Sequence, residues 1–153
     1  MRLCWTLTAL LALGLAATLY LFLVRGSVAP ATDGRTAILL NPGERDLVLA
    51  EMRAFLQATQ EVLVAANKGD MAAAADAAHK VGVAAQHEVP ASLLGKLPLG
   101  FKRLGFDTHG RFDQIALDAR DLVDPAHTLT ALGEVLSNCI ACHAAFRIDA
   151  AQP

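Results

Sequence analysis

The sequence has little of what marks several large classes of protein. Its net charge is only −2, so no basic surface indicates nucleic-acid binding. Aromatic residues are few, and the single tryptophan, Trp5, lies in an apolar N-terminal segment. The acidic residues are scattered singly, and no nucleophile constellation or glycine-rich phosphate loop is present, so we expect a protein that is not an enzyme. Internal repeats, alternating strand patterns and low-complexity tracts are also absent from the sequence.

An uncharged apolar run, residues 4–24, lies between two arginines at the N-terminus. As a helix it would span about 30 Å, the thickness of the hydrocarbon core of a bilayer. It is longer than the apolar region of a cleaved signal peptide, and Pro30 directly follows a candidate cleavage site, which disfavours cutting there. We therefore expect a transmembrane anchor over residues 1–25, with a cleaved signal peptide as the alternative. Residues 26–41 are expected to form a linker, flexible around Pro30.

The remaining residues, 42–150, predict a helical domain, because they are rich in Ala and Leu and lack β-branched runs. The four predicted helices cover approximately residues 42–67, 70–86, 111–122 and a last stretch that begins at 124–125. Prolines and glycines in residues 87–109 predict short irregular pieces, with His109 in a loop. Four amphipathic helices most simply pack as a bundle. The predicted fold is all-α, an antiparallel four-helix bundle with an N-terminal transmembrane helix.

The strongest chemical signal is the C-x-x-C-H motif Cys139-Ile140-Ala141-Cys142-His143, at the end of the last predicted helix. Two thiols three residues apart lie on nearby parts of one turn, where they can add to the two vinyl groups of one haem. His143 is then close to the iron, and imidazole is a good axial ligand. A thioredoxin-type site requires a βαβ setting, and a structural zinc site requires further Cys or His at matching spacing. The motif therefore predicts one covalent haem c, attached at Cys139 and Cys142, with His143 as an iron ligand.

The motif, followed by Phe146 and Arg147 near the C-terminus of a four-helix chain, resembles the class II c-type cytochromes, the family of cytochrome c-prime and its low-spin relatives. The resemblance covers roughly residues 44–148 and rests on the C-terminal motif. It implies that the haem lies in the bundle core, with His143 as the proximal ligand. It also implies that Arg147 lies close to a propionate or the proximal pocket. The alternative for Arg147 is a cation at a helix C-terminus, favoured by the helix dipole.

The same resemblance implies that the first bundle helix faces the distal side of the haem. Met52 is then the expected sixth iron ligand. Leu49, Phe55 and Leu56 are expected to form walls of the haem pocket. If Met52 does not bind, the iron is five-coordinate and open to NO or CO. Two histidines are rival sixth ligands, His79 and His87.

Haem attachment requires reduced thiols, haem and an assembly system, which bacteria provide on the outer face of the inner membrane. This requirement predicts a single-pass protein of the bacterial inner membrane, with the haem domain in the periplasm. We expect a tethered cytochrome that transfers single electrons to a membrane redox partner or a respiratory complex. Two alternatives stay open, a five-coordinate haem protein that binds NO or CO and an accessory haem subunit of a respiratory membrane complex. The Ala-rich second helix also permits a homodimer.

Overall fold

The structure, a computed structural model, describes residues 2–151 apart from the side chains of residues 3, 87 and 88. Its elements in chain order are α1 (Arg2–Leu19), a π-helical continuation (Tyr20–Arg25), β1 (Val28–Pro30), β2 (Thr36–Leu40), α2 (Pro42–Asn67), α3 (Met71–His79), a 3-10 segment (Val83–Glu88), α4 (Ala91–Lys96), α5 (Leu99–Asp121), α6 (Pro125–Ala145) and β3 (Phe146–Ala150). The predicted all-α class is confirmed. A small three-stranded sheet is added to it, which the sequence did not predict.

The two longest predicted helices begin at local capping signals. The Asn41 side chain accepts a hydrogen bond from the backbone N–H of Glu44, and the Glu44 carboxylate accepts one from the backbone N–H of Asn41. This reciprocal pair is a capping box, and it starts α2. Asp124 accepts hydrogen bonds from the backbone amides of Ala126 and His127 and starts α6. Both predicted starts are confirmed, because each depends on residues close together in the sequence.

The second predicted helix is shorter than expected. α3 ends at His79, not near residue 86. The backbone N–H of Val83 donates to the Asp113 carboxylate of α5 at 2.9 Å, and a Cβ at Gly82 would collide with the same carboxylate. A contact with a distant part of the chain therefore replaces the next helical turn, and the 3-10 segment follows.

The third predicted helix is longer than expected. The short irregular pieces predicted for residues 87–109 are confirmed up to residue 98. From Leu99 onward the prediction is wrong, because α5 begins there, and His109 lies in a helix and not in a loop. Each glycine inside a helix costs about 1 kcal/mol relative to alanine. Burial of Phe101 and Phe112 at helical spacing outweighs that cost, since packing of an apolar face supplies most helix stability in proteins.

Two buried apolar clusters hold the domain together. The first lies where α2 and α5 each pack against both α3 and α6. Its α3–α5 contact is close because Ala74, Ala75 and Ala119 are fully buried there. The second, here called the sheet-end cluster, consists of Ile38, Leu40, Val48, Leu93, Leu97 and Phe101. Met52 of α2 packs against both clusters and so lies at their junction.

The sheet joins the segment that follows α1 to the segment that follows the C-x-x-C-H motif. β1 pairs antiparallel with β2, and β2 pairs parallel with β3. Because only β2 separates them, β1 and β3 lie roughly 10 Å apart. The flexible linker predicted for residues 26–41 is therefore wrong. Its strands are short, and the pairing of β2 with the distant strand β3 leaves no local signal in the sequence.

The apolar helix Cys4–Arg25 is long and apolar enough to cross a membrane, and its side chains are exposed. Its C-terminal end rests on α4 and α5. The Lys102 ammonium donates hydrogen bonds to the carbonyls of Phe22 and Leu23, both at 3.1 Å. The Phe22 ring occupies the space where a Cβ at Gly95 would lie, so only glycine fits there. These contacts fix the end of the helix on the domain.

Candidate functional site

The C-x-x-C-H motif occupies the C-terminal end of α6. Cys139 and Cys142 are free thiols, both half-buried, and His143 is exposed. Burial raises the pKa of the Cys139 thiol above its ordinary value of 9.0. Burial, with a smaller contribution from Cys139, raises the pKa of Cys142 to about 11. Catalytic C-x-x-C pairs need a lowered thiol pKa, so this apolar setting disfavours thioredoxin-type chemistry.

An arginine between β1 and β2 donates hydrogen bonds to the backbone at the end of α6. Arg35 Nη1 donates to the carbonyls of His143 and Phe146, both at 3.3 Å. The last carbonyls of a helix have no partner within the helix, and a cation is favoured beside them. Arg35 also pairs with Asp33 at 2.7 Å, and this hydrogen bonding lowers the pKa of Asp33 to about 2. Arg35 and Asp33 thus fix the backbone of the expected iron ligand, a role that sequence reasoning missed because the contact spans most of the chain.

Arg147 lies in β3 and not in a helix, so its alternative role as a cation at a helix C-terminus is wrong. Its Nε donates to Asp149 at 2.8 Å, and its Nη1 lies 3.3 Å from Asp33. The guanidinium therefore belongs to an ion-pair network that includes Asp33 and Arg35. Its expected contact with a haem propionate stays a prediction.

Three of the α2 residues expected around the haem share one face of that helix, since they are spaced three and four residues apart. Met52 is half-buried and packs against the sheet-end cluster, and Cys142 of the motif packs against the same cluster. Leu49 is half-buried, whereas Leu56 is 71% exposed. The structure therefore brings Met52 and the motif to one cluster and leaves Leu56 uncovered.

Phe55, the third expected wall residue, is buried in the core, on the side of Met52 that faces away from Leu49. Its ring stacks on Phe112 with 5.5 Å between centroids and is tilted against His109 at 4.7 Å. It also lines an apolar cavity whose described lining does not include the motif. Phe55 is thus buried where Leu49 is half-buried and Leu56 is exposed, while Met52 packs against the cluster that contains Phe55.

Further apolar side chains lie uncovered around the motif. Ile140 is 70% exposed, and Leu136, one turn earlier on α6, is also exposed. Of the four helix pairs that pack around the first cluster, α2 and α6 make the smallest interface. Free thiols, an exposed imidazole and uncovered apolar surface fit a covalently attached haem, whose apolar faces would cover such surface. Cys139 and Cys142 would hold the group and His143 would bind its iron.

The cavity that Phe55 lines has a volume of about 470 Å³ and lies between α2, the 3-10 segment, α4 and α5. Glu51 and His109 form an ion pair in its wall, with Glu51 Oε1 at 3.2 Å from His109 Nε2. His109 Nδ1 lies 2.8 Å from the Val81 carbonyl. Both ring nitrogens thus face acceptors, and the ring satisfies both only as an imidazolium. Burial lowers the pKa of His109, but the hydrogen bonds to Glu51 and Val81 outweigh burial and raise it above 6.5.

Of the two rival histidine ligands, His79 pairs with a residue outside the motif. His79 is exposed and lies 3.5 Å from Asp113 of α5. The side chain of His87 lies outside the described residues. Within the described part of the chain, no three His, Cys, Asp or Glu side chains form a group that could hold a metal ion. Haem iron needs no such group, because the porphyrin supplies most of its ligands.

Comparison with known proteins gives no match to a family model, a curated protein or a solved structure. The class of this protein is therefore inferred from its own motif and geometry.

Proposed function

We propose that this protein is a covalent haem protein, in which Cys139 and Cys142 hold one haem c and His143 binds the iron. The observation that carries the proposal is the pair of free, half-buried thiols at the end of α6, followed directly by an exposed imidazole. Uncovered apolar surface beside them supports it further. When bound, the haem supplies a reversible one-electron couple. We further propose that the domain is an antiparallel four-helix bundle, formed by α2, α3, α5 and α6, that carries this haem.

Within that class, the protein is proposed to be a membrane-tethered cytochrome of the bacterial periplasm that transfers single electrons. The apolar helix Cys4–Arg25 supports the tether. The hydrogen bonds from Lys102 to the end of that helix, and the sheet that carries β1 beside β2 and β3, support a fixed distance between membrane and motif. A haem held there meets membrane partners at a raised effective concentration. The expected partner is a membrane redox protein or a respiratory complex.

Met52 is the proposed sixth iron ligand. It is half-buried, and it packs against the same sheet-end cluster as Cys142. A thioether that stays bound in both oxidation states keeps structural change on electron transfer small, and it raises the reduction potential. Arg35 contributes by fixing the carbonyls of His143 and Phe146, which keeps the imidazole in place.

The optical spectrum of the purified ferric protein tests this assignment, with Met52→Leu compared with Met71→Leu. Both changes conserve side-chain volume, so both are expected to preserve folding. Met71 is buried in the first cluster, which makes it a matched control. The wild type and Met71→Leu should give a low-spin spectrum with a methionine–iron charge-transfer band, which Met52→Leu should lose. A high-spin wild-type spectrum, with CO binding to the reduced form, would contradict electron transfer and favour the five-coordinate alternative.

A further inference from the structure

The cavity between α2, α4 and α5 has mostly apolar walls, and its polar lining side chains are Glu51, Lys80, Gln86, Lys102 and His109. Leu47, Leu93, Leu94, Phe101 and Phe106 line it together with Phe55. Among these apolar residues stands the Glu51–His109 ion pair. Ligand sites commonly combine an apolar cleft of this size with a few polar groups that fix orientation.

The ion pair itself offers an acceptor and not a donor. Both nitrogens of His109 are engaged, one by Glu51 and the other by the Val81 carbonyl. The contacts described for Glu51 use its Oε1. Its second carboxylate oxygen is therefore the acceptor left to bind a ligand, and a carboxylate oxygen accepts hydrogen bonds only. A matching ligand carries a hydroxyl on an apolar body.

Of the other polar lining side chains, Lys80 pairs with Glu61 and Lys102 with backbone carbonyls. Gln86 Nε2 is buried without a hydrogen-bond partner among the described residues, so it is left as a donor.

The cavity shares its walls with the helices on which the membrane-type helix rests. Lys102 lines the cavity and also holds the carbonyls of Phe22 and Leu23. Leu93 and Leu94 line it from α4, and the next residue, Gly95, is the one against which the Phe22 ring packs. The cavity therefore lies beside the end of the proposed membrane tether.

We propose that this cavity binds the dihydroxy head group of a membrane quinol, with Glu51 as hydrogen-bond acceptor. The ring and its alkyl groups fit the apolar walls, and a phenolic O–H matches the free carboxylate oxygen. A fatty acid fits less well, because its carboxylate would face the carboxylate of Glu51. Val48, Leu93, Leu97 and Phe101 line the cavity and also belong to the sheet-end cluster against which Cys142 packs. The quinol would thus lie one layer of side chains from the motif.

This inference rests on the membrane placement of α1 proposed above, but not on haem attachment. The two therefore fail separately. A protein without attached haem that still binds the quinol contradicts the proposed function alone. A haem-loaded protein without saturable quinol binding contradicts only the cavity assignment.

Equilibrium dialysis of the full chain in lipid nanodiscs, with trimethylhydroquinone as the probe and empty nanodiscs as background, tests the cavity. The protein is held reduced, so that haem does not oxidise the probe. Gly105 lines the cavity, and a Cβ there meets no atom within 4 Å, so Gly105→Leu fills the cavity without a clash. Gly110 of the same helix is exposed and equally open, which makes Gly110→Leu the matched control.

The wild type should bind the probe saturably, Gly110→Leu should match it, and Gly105→Leu should bind at least about tenfold more weakly. Glu51→Gln should weaken hydroquinone binding by about tenfold, since it removes a charge-assisted hydrogen bond. It should leave binding of the oxidised trimethylquinone unchanged when that probe is measured separately with the protein held oxidised. Absence of saturable binding, equal binding by the two leucine variants, or tighter binding of dodecanoate than of the probe would overturn the proposal. Circular dichroism melts verify that each variant is folded.

Discussion

Two faces of α2 meet two different environments, and the sequence marks only one of them. Leu49, Met52 and Leu56 share the face expected to meet haem, and part of that face is uncovered. Glu51 and Phe55 belong to the side that lines the apolar cavity. The first face could be predicted from the sequence, because the C-x-x-C-H motif on α6 indicates a haem beside it. The cavity beside the second face forms where helices far apart in the chain pack together. A sequence motif therefore locates reactive groups but does not locate cavities.

The largest effect that we predict is a difference in the free energy of unfolding between variants at two adjacent residues, one on each face. Phe55→Ala should lower the free energy of unfolding by about 3–5 kcal/mol, because Phe55 is 8% exposed and stacks on Phe112. In haem-free protein, Leu56→Ala should lower it by less than about 0.5 kcal/mol, because that side chain is exposed. Urea unfolding followed by circular dichroism measures both.

The same pair of variants also tests the haem-pocket assignment. In haem-loaded protein the cost of Leu56→Ala should rise, because the haem would cover that side chain. An unchanged cost in both forms would break the contrast between the two faces, since the haem would then lie elsewhere.

A smaller effect is expected at the start of α2, where both faces depend on one cap. Asn41→Ala removes the acceptor for the Glu44 backbone N–H and should lower the free energy of unfolding by about 1 kcal/mol. The loss should be equal in haem-free and haem-loaded protein, because the cap supports both faces alike. A loss seen in only one form would show that the two faces are stabilised independently.

The smallest effect expected is a pH dependence from the cavity side. The pKa of His109 in the folded state lies above its ordinary value of 6.5. Its stabilising contribution is therefore fully present below about pH 6.5 and is lost as the pH rises through the folded pKa. The melting temperature of the wild type should fall over that range more than that of His109→Gln. A parallel response of the two proteins would show that the Glu51–His109 pair is not charged.

The parts of this fold that the sequence predicted are those set by neighbouring residues. α2 and α6 begin where the sequence predicts, because Asn41 with Glu44, and Asp124 with the amides after it, cap their first turns. α5 was predicted too short because its glycines are locally unfavourable, and burial of Phe101 and Phe112 decides otherwise.

The missed parts depend on contacts between residues far apart in the chain. The sheet joins residues on either side of the helical domain, so no short pattern encodes it. In the site, by contrast, spacing alone was enough to identify the motif residues Cys139, Cys142 and His143. The sequence could not identify the contact of Arg35 with the His143 carbonyl, or the Glu51–His109 pair. Each of these contacts joins residues more than fifty positions apart.

The central claim is the covalent attachment of haem at the end of α6, and intact mass under denaturing conditions tests it most directly. The full chain is expressed with a bacterial haem-attachment system, alongside a Cys139→Ser/Cys142→Ser variant as control. We predict that the wild type carries the added mass of one haem, retained after denaturation and organic extraction, and that the variant has the mass of the bare polypeptide. A wild-type chain with only the polypeptide mass would contradict the account.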